Sequence, residues 1–197
     1  MKTLLFTGGT GGLGTVVVER LSREYRCILL GRADLASETS LRKAIENSAP
    51  FYGLVHLVGG FAPGSVAETT METWTQMMES NATVAFLVIR EALRKIERPG
   101  RIIAISSEAS LQKPAGVAAY AVSKSALNAL IEVTAAEVAG SGITANALLP
   151  GTLDTPAMRS AMPKARRVPL ERVADAIAFL LSEGASHVNG ALIPLHA

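Results

Sequence analysis

The string Thr7-Gly8-Gly9-Thr10-Gly11-Gly12-Leu13-Gly14 restricts the fold of this chain more than any other feature. It comes directly after the apolar run Thr3–Thr7 and leads into an apolar helical stretch, so it reads as strand, tight turn, helix. The glycines have distinct tasks. Gly8 permits the tight turn, Gly12 lets the backbone approach an anion, and Gly14 lets the helix pack closely on the strand. The string also holds a G-x-G-x-x-G pattern at Gly9, Gly11 and Gly14. A helix starting here aims its free N–H groups and positive dipole end at one point, which suits the pyrophosphate of a dinucleotide.

The rest of the chain repeats the alternation. Strand-length apolar runs are expected at Thr3–Thr7, Cys27–Leu30, Gly53–Leu57, Arg101–Ser106, Thr144–Leu149 and Ala191–Leu195. Helical patterning covers Gly12–Glu24, Leu41–Asn47, Met71–Ile96, Ala119–Ala139 and Leu170–Ser182. Strand–helix–strand alternation predicts an α/β fold: a single-domain, Rossmann-type, doubly wound parallel sheet over residues 1–197, with helices on both faces. At 197 residues, 49% apolar and 18% charged, the chain suits a sheet buried on both sides. A net charge of +2 makes nucleic acid a poor default partner. No apolar run reaches the length of a membrane span. Glycines come at once after Met1–Phe6, which departs from a signal-peptide plan and makes cytoplasmic residence the expectation. The one cysteine, Cys27, excludes an internal disulfide and reads as inert core. No metal site is expected.

A second constellation carries chemistry. Tyr120 and Lys124 stand at i and i+4 on one helix face, and Ser107 lies thirteen positions before the tyrosine, at the end of a strand. A nearby ammonium favours phenolate and is expected to lower the phenol pKa. The pair can then pass a proton to a forming alkoxide and recover it, while the serine hydroxyl orients the carbonyl oxygen. These residues point to a small-molecule substrate and a nicotinamide-dependent oxidoreductase.

On these motifs the chain resembles the short-chain dehydrogenase/reductase family over essentially its whole length. Thr7–Gly14 matches the family's T-G-x-x-x-G-x-G; Ser107, Tyr120 and Lys124 match its serine, tyrosine and lysine; Asn81 matches the asparagine of its long fourth helix. The resemblance implies catalytic roles for Asn81, Ser107, Tyr120 and Lys124, with Asn81 in a water-linked proton relay and Lys124 also holding the nicotinamide ribose. Pro150-Gly151-Thr152-Leu153-Asp154-Thr155 resembles the Pro-Gly segment after the sixth strand. By that likeness Leu153 touches the carboxamide and Thr155 the phosphates. Implied cofactor-binding residues are Gly8, Thr10, Gly12, Leu13, Gly14, Arg32, Asp34, Leu35, Val58, Gly59, Tyr120, Lys124, Pro150, Gly151, Leu153 and Thr155.

Two departures matter. The family's Asn-Asn-Ala-Gly reads His56-Leu57-Val58-Gly59, and His56 is expected to pack rather than react. After Gly31-Arg32, Asp34-Leu35 comes almost at once, which leaves no room for the usual helix and edge strand. The expected sheet lacks one edge strand and its helix and runs 2-1-4-5-6-7 in the family's numbering. Arg32 at the end of the second strand favours NADP(H); Asp34 nearby keeps NAD(H) open.

Specificity is expected in Glu108–Pro114, Phe61–Gly64 and the loop Asp154–Pro169, with Leu111, Phe61, Met158 and Met162 as an apolar wall. Val58–Ala62 and Thr152–Pro156 look similar to the dihydropteridine reductase branch, which makes pterin reduction the second reading. A non-catalytic NAD(P)-binding sensor or scaffold is a third, against which the intact tyrosine and lysine count. The helices at 71–96 and 119–139 are apolar around much of their circumference. They are expected to pair two or four copies of the chain.

Overall fold

Five glycines and a run of free N–H groups sit where the first strand hands over to the first helix, and the rest of the architecture is laid out from that point. The computed structural model describes residues 1–197. In chain order the elements are β1 (Thr3–Thr7), α1 (Gly12–Leu21), β2 (Arg26–Leu30), α2 (Glu38–Asn47), β3 (Phe51–His56) and α3 (Met71–Met78). A π turn at Glu79–Thr83 joins α3 to α4 (Val84–Ala92). Then come β4 (Ile96–Ile105), α5 (Ala109–Gln112), α6 (Ala118–Glu137), β5 (Ile143–Pro150), α7 (Pro156–Ala161), α8 (Leu170–Leu181) and β6 (Leu192–Leu195).

All strand pairs are parallel, in the order β2-β1-β3-β4-β5-β6. This is the six-stranded order expected with one edge strand missing. Only residues 31–37 lie between β2 and α2, so the chain crosses directly to β3 and leaves β2 as the edge.

Side-chain alternation along the strands feeds two cores. Leu5, Leu54, Ile102 and Ala104 face α2, α4 and α6 through Leu41, Ile45, Val88, Ile89, Leu127 and Ile131. Leu4, Phe6, Val55 and Ile103 face α1 and α8 through Val17, Leu21, Val173, Ile177 and Leu180. Burying each of these side chains is worth roughly 1.5–3 kcal/mol, and the two cores hold the strand ends in register.

Several boundaries differ from the sequence pattern. The stretch 71–96 is not one helix. It widens to a π turn at Glu79–Thr83 and ends at Ala92. Lys95 leaves the helix to donate to the carbonyls of Ile45, Glu46 and Ser48 at the end of α2, and Ile96 pairs with Phe51 as the first residue of β4. The second helix begins at Glu38 because the Ser37 side chain accepts from Ser40 N–H and caps it. Asp154–Pro169 is not all loop. It contains α7, capped by Thr155, and a bridge from Leu153 to Val168 ties its base. Glu108–Pro114 likewise folds into α5. Cys27 is half-buried on the edge strand rather than full core, and burial pushes its thiol pKa up, away from thiolate.

Candidate active site

The carboxyl ends of β1, β3, β4 and β5 form one rim, and the chemistry-bearing residues collect there. At β1, Gly8 has φ +72°, a left-handed turn that glycine adopts without strain. A Cβ on Gly14 would lie 2.1 Å from the Gly8 carbonyl oxygen, so α1 can meet the turn this closely only with glycine. The N-terminus of α1 carries no side-chain cap. A Cβ on Gly12 would meet only the Thr155 methyl, at 3.9 Å. The mouth of the helix is therefore open, exposes Thr10, and faces Thr155. An uncapped, glycine-lined helix start fits a pyrophosphate. Leu13 is half-buried and packs its side chain into the α1–α8 core, which leaves only its backbone facing the mouth.

At β3, Val58 and Gly59 lead out of the strand. A Cβ on Gly59 would stand 2.7 Å from Asn81 Oδ1 and 2.9 Å from Lys124 Nζ. Gly59 thus lets three segments meet. Asn81 sits in the π turn, fully buried. Its amide donates to the Gly60 carbonyl at 3.1 Å and to Ser123 Oγ at 3.0 Å, while its oxygen accepts from Gly60 N–H at 3.0 Å. Ser123 in turn donates to the Tyr120 carbonyl at 2.9 Å. The π turn, the β3 loop and the second turn of α6 are locked together by one side chain. π turns inside α-helices recur at functional sites.

From α6, Tyr120 reaches Ser107 just past β4, and Lys124 reaches the end of β4 itself. Lys124 is buried and donates to the Ile105 carbonyl at 2.8 Å. Burial lowers its pKa to about 8. Burial raises the Tyr120 pKa above the usual phenol value, and the Ser107 hydroxyl beside it offsets part of the rise. The expected lowering of the phenol by the ammonium does not occur in this state. The ammonium is engaged by a carbonyl, and desolvation of the phenolate dominates. Tyr120 therefore stands as a neutral acid. Ser107 Oγ accepts from Ala109 N–H at 3.2 Å, which aims the hydroxyl from the start of α5.

His56 is fully buried, with Nδ1 2.8 Å from Thr7 Oγ1. Burial drives its pKa down to about 3, so the ring is neutral and braces β1 against β3, as its packing role required. At the end of β2, Arg32 is exposed, whereas Asp34 accepts from Gly31 N–H at 2.7 Å and is spent on its own turn. Leu35 packs its side chain on the core beneath α2. Pro150 closes β5; Gly151 donates its N–H to Leu195 at 3.1 Å, and Leu153 packs on the α1–α8 core. Of the four wall residues, Phe61 meets Tyr120 edge-on, with ring centroids 5.0 Å apart, and is 56% exposed. Leu111 and Met162 are exposed and Met158 is half-buried. A cavity of about 340 Å³ lined by Lys113, Pro114, Ala118, Ala121, Val122 and Ser125 includes none of Asn81, Ser107, Tyr120 and Lys124.

Three partners escaped the sequence reading: the Ile105 carbonyl, Ser123 and Gly60. Only Ser123 left a signal, between Tyr120 and Lys124 on the same helix turn. A carbonyl acceptor and a loop amide have no sequence signature.

A family model described as enoyl-(acyl carrier protein) reductase matches residues 13–196. The chain belongs to the short-chain dehydrogenase/reductase family. Its relatives include the 2,5-dichloro-2,5-cyclohexadiene-1,4-diol dehydrogenase of Sphingobium indicum, 26% identical over 98% of this chain and 94% of that one. The 2-(R)-hydroxypropyl-CoM dehydrogenase of Xanthobacter autotrophicus is 33% identical over 84% of this chain and 75% of its own. An actinorhodin polyketide ketoreductase crystallised with NADPH superposes with a TM-score of 0.90 at 25% identity, covering 99% of this chain and 95% of that one. This short-chain enzyme is thus an NAD(P)-dependent oxidoreductase by family.

Proposed function

We propose that this short-chain enzyme moves a hydride between NADP(H) and a carbonyl or alcohol carbon of a small substrate, with Tyr120 as proton donor and acceptor. One observation carries the reading: Asn81, Ser107, Tyr120 and Lys124 converge on the strand rim that also carries the open, glycine-lined start of α1. When bound, the nicotinamide supplies the hydride. The chain's own residues do the rest. The N–H groups at the start of α1, with Thr10, Gly12 and Leu13 backbone and Thr155, would hold the phosphates. Gly59 and Lys124 would hold the nicotinamide ribose side, and Val58, Pro150, Gly151 and Leu153 would bind the nicotinamide. Ser107 Oγ holds the carbonyl oxygen. The neutral Tyr120 phenol gives its proton to that oxygen as charge develops, which is worth about 10²–10⁴-fold for a placed general acid. Asn81 fixes the turn from which a relay to Lys124 runs.

NADP(H) is favoured over NAD(H) because Arg32 is free at the end of β2 while Asp34 is held by Gly31 N–H. Leu35 and Asp34 border the adenine side. Relatives act on a cyclic diol and a polyketide by their names. Phe61, edge-on to Tyr120 and largely exposed, offers an apolar platform for a ring beside the reacting carbon. The pterin reading rests on local sequence likeness alone, and Ser107 and Asn81 in place favour carbonyl chemistry. The intact constellation also counts against a non-catalytic sensor or scaffold.

The chain acts as one domain, residues 1–197, in the cytoplasm. No helix is long and apolar enough to cross a membrane. A second copy is the proposed partner. Phe86 on α4 and Val122 and Val133 on α6 are exposed, and Ala82, Phe86, Ala126 and Leu130 line a shallow groove between the two helices. The pairing surface runs over the π turn and α4 rather than one helix at 71–96. Light scattering should give a dimer or tetramer; a monomer mass removes this part.

The functional test is titration of the protein with NADPH and NADH by nicotinamide fluorescence, then turnover of a panel of ketones and aldehydes. Tighter binding of NADPH and turnover of a carbonyl are expected. Binding of neither cofactor would overturn the reading.

A further inference from the structure

Glu108 stands directly after Ser107, yet hydride transfer and the Tyr120 proton step do not use it. Its backbone is fixed on both sides. The N–H donates to the Pro150 carbonyl at 3.1 Å, and the carbonyl accepts from Leu111 and Gln112 N–H, each at 2.9 Å. The side chain is only 17% exposed. Oε1 is in contact with the imidazole Nδ1 of His196, near the chain end and itself 74% exposed. Oε2 receives only a long bond from Gln112, at 3.4 Å. It lies over Gly151, where a Cβ would come within 3.0 Å of it. A carboxylate is thus threaded past a glycine between the Ser107 end of β4 and the Pro150-Gly151 end of β5, with Oε1 buried against His196 without a hydrogen bond and Oε2 left with the one long bond from Gln112.

Apart from Gln112, no group at this rim donates to this oxygen. Tyr120 is neutral and Ser107 is a hydroxyl. The Lys124 ammonium is engaged by the Ile105 carbonyl. His196 stands mostly in water and meets Oε1, not Oε2. A carboxylate withdrawn this far from water favours a donor and repels an anion more strongly than one in bulk water would.

We propose that Glu108 determines specificity at this site: its Oε2 accepts a hydroxyl or N–H group on the substrate next to the reacting carbon, and its charge turns away anionic substrates. The substrate class is then a neutral or cationic hydroxy-ketone, diol or amino-ketone. This rests on the hydride-transfer reading, because Ser107 and Tyr120 place the reacting carbon beside Glu108.

The test compares wild type with Glu108→Gln, which keeps size and removes charge. Each protein is loaded with NADPH and titrated with cyclohexanol, trans-1,2-cyclohexanediol and cyclohexanecarboxylate, monitored by nicotinamide fluorescence. Oxidation of the two alcohols with NADP⁺ is measured in parallel. A hydrogen bond to a charged group predicts that wild type binds the diol at least ~10-fold more tightly than cyclohexanol, and that it does not bind the carboxylate. Glu108→Gln narrows the diol preference to within ~3-fold, the size left to a neutral hydrogen bond, and admits the carboxylate. His196→Ala, at an exposed position, keeps the charge and must still exclude the carboxylate. An unchanged diol preference in Glu108→Gln, no diol binding by wild type, or carboxylate binding by His196→Ala overturns the proposal. Turnover with ratios independent of Glu108 overturns it and leaves hydride transfer standing. Shifted binding ratios without turnover of either alcohol remove the hydride-transfer reading and with it the reacting carbon, and leave Glu108 only as a ligand-binding group.

Discussion

Gly59→Ala puts the smallest side chain into the junction where the β3 loop, the π turn and α6 meet. Its Cβ would fall 2.7 Å from Asn81 Oδ1 and 2.9 Å from Lys124 Nζ, against ordinary contact from 3.4 Å. Relief needs displacements of about 0.7 Å at the asparagine and about 0.5 Å at the lysine. Neither group is loose. Asn81 is held by Gly60 and Ser123, and Lys124 by the Ile105 carbonyl. Overpacking of this kind costs roughly 1–3 kcal/mol of stability, and each kcal/mol lowers Tm by about 2–4 °C in a chain of this size. The catalytic loss is expected to be larger. Misplacing a reacting group by about 1 Å can cost about 10²-fold, so kcat/KM should fall by roughly 10–100-fold. Calorimetry gives the first quantity and NADPH-dependent reduction of a ketone the second, with NADPH titration separating weaker cofactor binding from slower chemistry. A folded Gly59→Ala enzyme with kcat/KM within twofold of wild type would refute the junction.

Tyr120→Phe should cut turnover by at least ~10²-fold, the contribution of a lost general acid, with NADPH affinity little changed; near-normal turnover would sink the proton-transfer role. Lys124 has a folded pKa of about 8 against an ordinary 10.5. The unfolded chain therefore holds more protons between those values, and the cost of the buried charge is present below pH 8 and fades as pH rises toward 10.5. Relative to wild type, Lys124→Met should gain up to about 3 kcal/mol near pH 7 and lose that advantage by pH 10.5 in urea unfolding; parallel curves would contradict it. Gly14→Ala sets a methyl 2.1 Å from the Gly8 carbonyl, so it should abolish NADPH binding in titration, and full affinity would show that the turn is not the cradle.

Much of the fold was legible because the strands are buried on both faces and therefore stand out as apolar runs. The missing edge strand was readable by counting, since residues 31–37 leave no room for another crossover. The break in the long helix was not readable. Glu79–Thr83 has no proline or glycine, and its widening is stabilised by Asn81 reaching Gly60 and Ser123, residues distant in sequence. The site was legible as positions and not as electrostatics. An i, i+4 spacing puts Tyr120 and Lys124 on one face but does not say that the Ile105 carbonyl takes the ammonium, or that burial pushes the phenol up instead of down.

The sequence by itself determined the features that local chemistry dictates: a glycine-only turn at Gly8, an open helix start at Gly12, a tyrosine and a lysine one turn apart, and strands apolar enough to form a parallel sheet. Only the tertiary structure decided the features that depend on juxtaposition across the sheet. It set Gly59 against Asn81 and Lys124, and it turned His56 into a neutral brace on Thr7. It also brought Glu108 past Gly151 to His196. The physical reason is that backbone preference and hydrophobic period act over a few residues. Desolvation and hydrogen-bond partners at the strand rim are set by segments far apart in the chain, and they exist only once the sheet has closed.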